Sequence, residues 1–402
     1  MKKVPITPIA IALLTVIACA GMAIPVSRIL NTRRAEYFAR QGDQKRMAGD
    51  GDGALADFDR ALALNPKMAS VYNDRGVLKL YKGDLAGAIA DFDHVVALDP
   101  HNILPFINRG SARCDFGDLD GAVADLDQAI ALDSTSAVAY NLRAKARRLK
   151  LDLDGAISDC KRAIQLKPDS ADYHANLGEV EFDKHDLDAA LADCATAIKL
   201  DPNNALAFGL RGEIEAQKGD MDAARADFGI EIKLSPNRVY GYRDMAALEI
   251  ETQKWADAVA DYKRYCEIKP AWQDYARLYT WVARTRLGEA DDADRELAGY
   301  LQDRDSGRIA VAQPGDWPKK LGEYLIGRMN EADLLASITS PKDNEKANGH
   351  LCEALFLIGE KKLIAGDKEN AAGDFRKCIA AGRRAYIECD MARAELKALG
   401  EK

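Results

Sequence analysis

The sequence has no surplus of positive charge, because its 402 residues carry 56 Lys and Arg against 64 Asp and Glu, for a net charge of -8. A protein that neutralises phosphates needs a basic face, so we expect no nucleic-acid partner. A phosphate-binding glycine loop, a nucleophile elbow and a zinc-protease helix motif are also missing from the sequence. No residue is predicted to be catalytic, and we expect that the protein is not an enzyme.

Histidine is scarce, and none of the five has a partner at a metal-ligand spacing. We therefore predict no metal site and no cofactor. The eight cysteines show no close paired spacing, so they do not form a disulfide framework. Five of them are interpreted as small apolar fillers, with a disulfide or a metal as the weaker alternative: Cys160 and Cys194 in one packing column, and Cys352, Cys378 and Cys389 in the terminal helices.

The N-terminal segment, residues 1–30, has a long uncharged stretch. Lys2 and Lys3 precede it, and it runs from Val4 to Ser27, long enough to span a bilayer. Three interpretations stay open: an uncleaved membrane anchor, which we favour, a cleaved signal, or a lipoprotein signal with Cys19 as the lipidated residue. Basic residues flank both ends, so sidedness is undecided, and we favour a periplasm-facing over a cytoplasm-facing protein of a bacterial cell envelope.

Prolines mark an internal repeat of 34 residues. Pro66, Pro100, Pro168, Pro202 and Pro236 stand 34 residues or twice 34 apart, and Pro270 follows in the same register. The segment from residue 35 to residue 272 divides into seven such units without insertion or deletion. A period of this length predicts stacked supersecondary units.

Small and bulky side chains recur at fixed places in each unit. An aromatic column, such as Tyr72 and Phe106, is followed four residues later by a small one, such as Gly76 and Gly110. An alanine in every unit is followed four residues later by an apolar residue, such as Phe92, which places both on one helix face. The small column lets two helices approach closely.

An aspartate recurs in the middle of six units, and in four of them it directly follows a glycine, as in Gly83-Asp84. Such a glycine ends one helix, and the aspartate can cap the next. Each unit is therefore predicted to be a helix, a tight turn and a second helix.

These columns resemble the tetratricopeptide repeat. The resemblance covers all seven units and implies an all-α fold, a right-handed superhelical solenoid of helix-turn-helix repeats with a concave groove lined by the first helices. With the N-terminal membrane segment, this is the expected architecture.

Arginine stands in a slot where this repeat usually has leucine, and an aspartate column runs through all seven second helices. We predict that the two columns pair in a partly buried ladder, within a repeat or across a repeat junction. A solvated charged face is the alternative. The columns are Arg75, Arg109, Arg143 and Arg211, and Asp57, Asp91, Asp125, Asp159, Asp193, Asp227 and Asp261.

The period weakens after Trp272. Residues 273–302 are predicted to be a degenerate eighth helix pair, residues 303–349 an irregular connector with a short helix, and residues 350–402 a last repeat-like pair with a capping helix. This C-terminal part is similar to bacterial NlpI-type repeat lipoproteins, which implies an envelope adaptor for partners such as proteases and cell-wall hydrolases. The similarity rests on Trp317-Pro318, residues 324–327 and 352–356, Tyr386-Ile387-Glu388 and Glu395-Leu396.

The groove of this family is lined by particular turns of each first helix. Carried over, those positions run from apolar through basic to acidic and suit an extended peptide with an apolar segment next to acidic residues. Solvated faces are the alternative for each residue. The positions are Asn73, Val77, Leu80, Tyr81, Ile107, Ser111, Asn141, Lys145 and Arg148, followed by Glu179, Asp183, Glu213 and Glu251.

The resulting hypothesis is a non-catalytic, membrane-tethered scaffold or adaptor that binds proteins or peptides in its groove and can self-associate. The alternative is a structural or assembly lipoprotein of a secretion or pilus-type envelope machine.

Overall fold

A computed structural model describes residues 26–309, 316–338, 344–381 and 387–401. Cys19, most of the predicted membrane segment and Tyr386 lie outside these ranges. Every regular element within them is a helix, as predicted. In the same ranges, no helix combines the length and apolar character needed to cross a bilayer. The chain divides into two compact units: unit 1 extends to His185, and unit 2 begins at Asp186.

Unit 1 contains the first helices of the array, each pair joined by a short turn. Each helix packs against the next along the chain from α1 to α9. The helices are α1 (Val26–Met47), α2 (Gly51–Leu64), α3 (Ala69–Tyr81), α4 (Leu85–Leu98), α5 (Ile103–Phe116), α6 (Leu119–Leu132), α7 (Ala137–Leu149), α8 (Leu153–Leu166) and α9 (Ala171–Asp183).

Unit 2 continues the pattern and then departs from it. A single apolar core extends from α13 to α21. The helices are α10 (Leu187–Leu200), α11 (Ala205–Lys218), α12 (Met221–Leu234), α13 (Val239–Glu251), α14 (Trp255–Ile268), α15 (Asp274–Arg286), α16 (Ala290–Asp305), α17 (Trp317–Leu325), α18 (Glu331–Ala336), α19 (Asn344–Ile364), α20 (Lys368–Ala381) and α21 (Ile387–Ala398), with a 3-10 turn at Pro270–Trp272.

The turns form as the glycine-aspartate pattern predicts. Gly83 has a φ of 80°, in the left-handed region, and Asp84 then accepts a hydrogen bond from the Gly87 N–H at 2.9 Å. Asp50, Asp118, Asp152, Asp186 and Asp220 cap their helices in the same way.

The small column lies against the bulky column. A Cβ built on Gly76 would meet Phe92 Cε1 at 2.8 Å, so only glycine fits there without a shift. In the fourth repeat, Ala144 and the smaller Cys160 pack together in one cluster. A larger residue in the small column is therefore matched by a smaller residue in the bulky column, so that the combined volume of the two side chains still fits between the helices.

The predicted ladder of arginine and aspartate is confirmed at all four arginines. In the second repeat, the Arg75 guanidinium donates to both carboxylate oxygens of Asp91 at 2.9 and 2.5 Å, and its third nitrogen reaches Asp59 of the first repeat at 2.6 Å. The guanidinium also lies over the Tyr72 ring, 5.4 Å from the centroid. Hydrogen bonding to Asp91 outweighs burial and raises the pKa of Arg75. The same fork joins Arg109 to Asp125, Arg143 to Asp159 and Arg211 to Asp227.

Each ladder aspartate of repeats 1 to 4 also has a cation twelve residues before it. Lys79 Nζ lies 2.9 Å from Asp91, and Arg113 lies 2.8 Å from Asp125. The solvated-face alternative is wrong for Asp57, Asp91, Asp125, Asp159 and Asp227, because all five are buried.

The C-terminal segments differ from the sequence prediction in detail. The connector holds two short helices instead of one, because Gly327 ends α17 with a φ of 76°. Helix α19 begins at Asn344, inside the segment predicted to be connector. The last pair nevertheless repeats the regular contacts, since Gly359 lies against Phe375 and Lys362 bonds Asp374 at 2.6 Å.

Candidate partner-binding surfaces

The first helices of unit 1 line one side of the repeats. Helix α3 contacts α5, α5 contacts α7, and α7 contacts α9. Positions spaced by three and four residues on each helix share one face. We call this surface the first-helix face, and its apolar part is formed by Val77, Leu80, Tyr81, Leu104, Ile107 and Val138.

The apolar part contains both half-buried and exposed side chains. Val77 and Leu80 are half-buried against the cluster of Ala88, Phe92 and Ala112. In contrast, Tyr81 is 86% exposed, Leu104 57% and Val138 49%. Ile107 and Ser111 are half-buried on α5. The first helices of neighbouring repeats thus each present a large apolar side chain to solvent, which makes this face a candidate interaction surface.

The two predicted asparagines join neighbouring first helices. Asn73 Oδ1 accepts a hydrogen bond from Asn108 Nδ2 at 3.1 Å, and Asn141 Oδ1 accepts one from Asn176 Nδ2 at 2.9 Å. The partners Asn108 and Asn176 were missed from sequence. Each follows its acceptor by 35 residues, one more than the repeat, and that offset is the signal that could have found them.

The predicted basic positions pair with acids of adjacent repeats. Lys145 Nζ lies 2.8 Å from Asp115, and Arg148 lies 3.2 Å from Glu179 and 2.9 Å from Asp183. Burial opposes the charge on Lys145, but the hydrogen bond and charge of Asp115 raise its pKa overall. The basic and acidic stretches expected from sequence therefore neutralise each other, and the apolar part is the feature that remains to recognise a partner.

The two acidic positions of unit 2 have different surroundings. Glu213 is half-buried on α11. Glu251 is half-buried at the end of α13, and α21 packs against this helix. Asp390 and Arg393 of α21 are close enough to affect the pKa of Glu251. Burial, followed by the Asp390 charge, raises the pKa of Glu251 to about 7. Helix α21 thus lies beside Glu251, a residue that the sequence prediction assigned to the ligand-binding groove.

Unit 2 also contains a cavity of about 300 Å³ that sequence reasoning missed. Its walls combine four tyrosines and a tryptophan with charged groups, including Arg243, Glu353 and Glu388. The Tyr275 hydroxyl and the Trp317 Nε1–H both donate to the Glu353 carboxylate, at 3.2 and 2.5 Å, while the Tyr279 hydroxyl donates to Glu388. Aromatic faces beside carboxylates can hold a small group with an apolar body and a cationic or hydrogen-bonding tip.

Burial perturbs the carboxylates of this cavity. It raises the pKa of Glu353 to about 7, and the Glu388 charge adds to the effect. The sequence prediction named both residues only as parts of the C-terminal similarity. Their contacts join residues 78 and 109 positions apart, which no local pattern reveals.

Three cysteines of unit 2 meet at one point. The Sγ atom of Cys352 lies 3.1 Å from that of Cys378 and 3.3 Å from that of Cys389. Cys160 lies in a buried cluster with Ala144, Ala156 and Leu177, and its role as an apolar filler stays a prediction.

Three acidic side chains that are buried or half-buried give unit 2 a testable pH dependence. Burial raises the pKa of Glu231, Glu249 and Glu251 to about 7 each. The folded state therefore holds protons that the unfolded state releases above its ordinary carboxyl pKa. Stability is full below that value and is lost as pH rises through about 7. We expect unit 2 to lose about 2 kcal/mol per carboxyl between pH 5 and pH 8.

Hydrogen exchange of helices α12 and α13, corrected for the intrinsic pH dependence of exchange, measures this loss, with α5 to α7 of unit 1 as the internal reference. Glu231→Gln should remove about a third of the pH-dependent loss, because an amide does not titrate and two of the three carboxyls remain. Equal pH profiles in the two units would contradict the expectation.

Comparison with known proteins agrees with the geometry. A family profile described as tetratricopeptide repeat matches residues 39–103, 107–171 and 175–239. A solved tetratricopeptide repeat protein from Parabacteroides merdae ATCC 43184 is 15% identical, covers 62% of this chain and 98% of its own, and has a TM-score of 0.56. MamA is 29% identical over 42% of this chain and 92% of its own, with a TM-score of 0.35. PilW, described as a widely conserved type IV pilus biogenesis factor, is 20% identical over 49% and 92%, with a TM-score of 0.44.

The part of the array between residues 39 and 239 therefore consists of tetratricopeptide repeats, and its helix pairs have the all-α repeat fold that the sequence predicted. Proteins of this class generally mediate protein–protein interactions.

Proposed function

We propose that the protein is a non-catalytic scaffold that binds partner proteins or peptides on the first-helix face of unit 1. The observation that carries the proposal is the exposure of Tyr81, Leu104 and Val138 on neighbouring first helices. Ladder contacts hold these helices rigidly, so binding costs little ordering of the scaffold. Lys145 and Arg148 are already paired with acidic side chains. The partner segment therefore contacts the apolar part of the face and is itself apolar there.

The same proposal places the scaffold at a membrane of a bacterial cell envelope. The uncharged stretch from Val4 to Ser27, with basic residues on both sides, supports a tether. The resemblance of the C-terminal part to NlpI-type lipoproteins supports an adaptor of envelope enzymes. Self-association through terminal repeats belongs to the proposal as well.

Quantitative affinity capture from detergent-solubilised native membranes tests the proposed binding. Tyr81→Ser, Leu104→Ser and Val138→Ser, each made alone and then combined, should weaken capture of the main partner, with the triple variant losing at least tenfold. The control variants Leu98→Ser and Leu132→Ser remove exposed apolar side chains from the ends of second helices and should bind as the unaltered protein does.

The captured partner is then purified, and its dissociation constant is measured for each variant. Undiminished binding by the triple variant would remove the first-helix face as the site and favour the structural or assembly alternative. Mass analysis of the mature N-terminus decides among anchor, cleaved signal and lipidated Cys19.

A further inference from the structure

Three cysteine side chains from three different helices converge in the core of unit 2. Cys352 lies on α19, Cys378 on α20 and Cys389 on α21, and all three are fully buried. The three sulfur atoms lie within 4.8 Å of one another. Of the eight cysteines in the chain, these are brought together by the packing of the last three helices.

The repeat register shows that two of these cysteines replace alanine. Cys352 stands at the first position of the 34-residue register and Cys378 at the twenty-seventh. Alanine fills the first position in five of the seven regular units and the twenty-seventh in four. Packing at these two positions therefore does not require sulfur.

We propose that Cys352, Cys378 and Cys389 together bind one thiophilic metal ion, Zn²⁺ or Cu⁺. Both ions take thiolate ligands, and three thiolates supply a full set for Cu⁺ and three of the four ligands of a structural Zn²⁺ site. Metal–sulfur bonds of about 2.3 Å would hold the sulfurs about 3.8 Å apart, so the side chains open by less than about 1 Å from their present spacing.

The surroundings suit a closed structural site. The three cysteines have no solvent exposure, and Phe356 and Phe375 are fully buried in the same apolar core. The main-chain oxygen of Glu388 lies 3.7 Å from Cys378 Sγ, and that of Cys378 lies 3.8 Å from Cys389 Sγ. Cu⁺ needs only the three sulfurs, whereas Zn²⁺ takes a fourth ligand. The ion would tie α19, α20 and α21 together at the end of the chain.

Metal analysis of the full chain, isolated in detergent under reducing conditions and without chelator, tests the proposal. We expect one zinc or one copper ion per chain, and the element that is found shows whether the site binds Zn²⁺ or Cu⁺. After removal of the metal, titration with Co²⁺ should give a sulfur-to-cobalt charge-transfer band that saturates at one equivalent.

The variants Cys378→Ala and Cys389→Ala should lose the band and at least tenfold in affinity, while Cys160→Ala, in unit 1, should keep both. Cys378→Ala restores the residue that regular repeats carry, and circular dichroism verifies that each variant is folded. Zn²⁺ should raise the melting temperature of the unaltered protein and not that of Cys389→Ala.

Three results would overturn the proposal: reduced protein without bound metal and without a cobalt band, a Cys352–Cys378 or Cys352–Cys389 disulfide in a parallel sample isolated without reductant, or metal retained by every variant. None of these results bears on partner capture by the first-helix face, so the two proposals fail separately.

Discussion

Replacing Arg109 by leucine should destabilise unit 1 by about 3 kcal/mol, because it leaves the carboxylate of Asp125 buried without its two-point partner. Asp125 is only 3% exposed and keeps one contact, to Arg113. That remaining cation places the expected loss at the lower end of the range for a broken buried ion pair. Arg109 also releases Asp93, but that contact is solvent-exposed and contributes little.

A double-mutant cycle separates the ion pair from the packing of the arginine stem. Arg109→Leu combined with Asp125→Leu should recover most of the loss, since an apolar pair of similar volume avoids the unpaired charge. Chemical denaturation followed by far-ultraviolet circular dichroism, with hydrogen exchange to assign the change to unit 1, gives the free energies. A loss below about 1 kcal/mol in Arg109→Leu, with an unchanged response to salt, would mean that the pair behaves as a surface contact.

The ladder also shows why so much of this fold could be predicted from sequence. Residues 16 positions apart, such as Arg75 and Asp91, meet in every unit that carries both, because one turn geometry is repeated without insertions. Contacts inside a repeat or between adjacent repeats are local in sequence, so column patterns encode them. The left-handed turns at Gly83 and Gly117 follow from the same columns.

Prediction failed where contacts are long-range or where the register shifts by one residue. The cavity depends on Tyr279 meeting Glu388, 109 residues later, and no period links the two. The amide bridge from Asn108 to Asn73 spans 35 residues and falls between columns compared at 34. The sequence prediction treated Lys145 and Arg148 as free positive charges, but Asp115, Glu179 and Asp183 neutralise them. Transferring groove positions one residue at a time does not take neighbouring charges into account.

Glycine at the small column should be the second most sensitive feature of the array. Gly76→Ala adds a methyl group that would meet three Phe92 ring atoms at 2.8, 3.0 and 3.2 Å. Phe92 is fully buried, so the ring can move only by displacing its own neighbours. Overpacking of this kind costs about 1–3 kcal/mol, and the better helix propensity of alanine returns about 1 kcal/mol at most. We expect a net loss of about 1 kcal/mol in the free energy of unfolding of unit 1.

The same substitution at Gly229, where nothing lies within 4 Å of the added Cβ, should be neutral or stabilising and is the matched control. A compensating variant follows from the fourth repeat, which pairs Ala144 with Cys160. Gly76→Ala combined with Phe92→Cys should cost at least about 1 kcal/mol less than the sum of the two single variants, because the smaller side chain removes the clash. Additive losses in this cycle would show that the cost of Gly76→Ala arises from the backbone and not from contact with the Phe92 side chain.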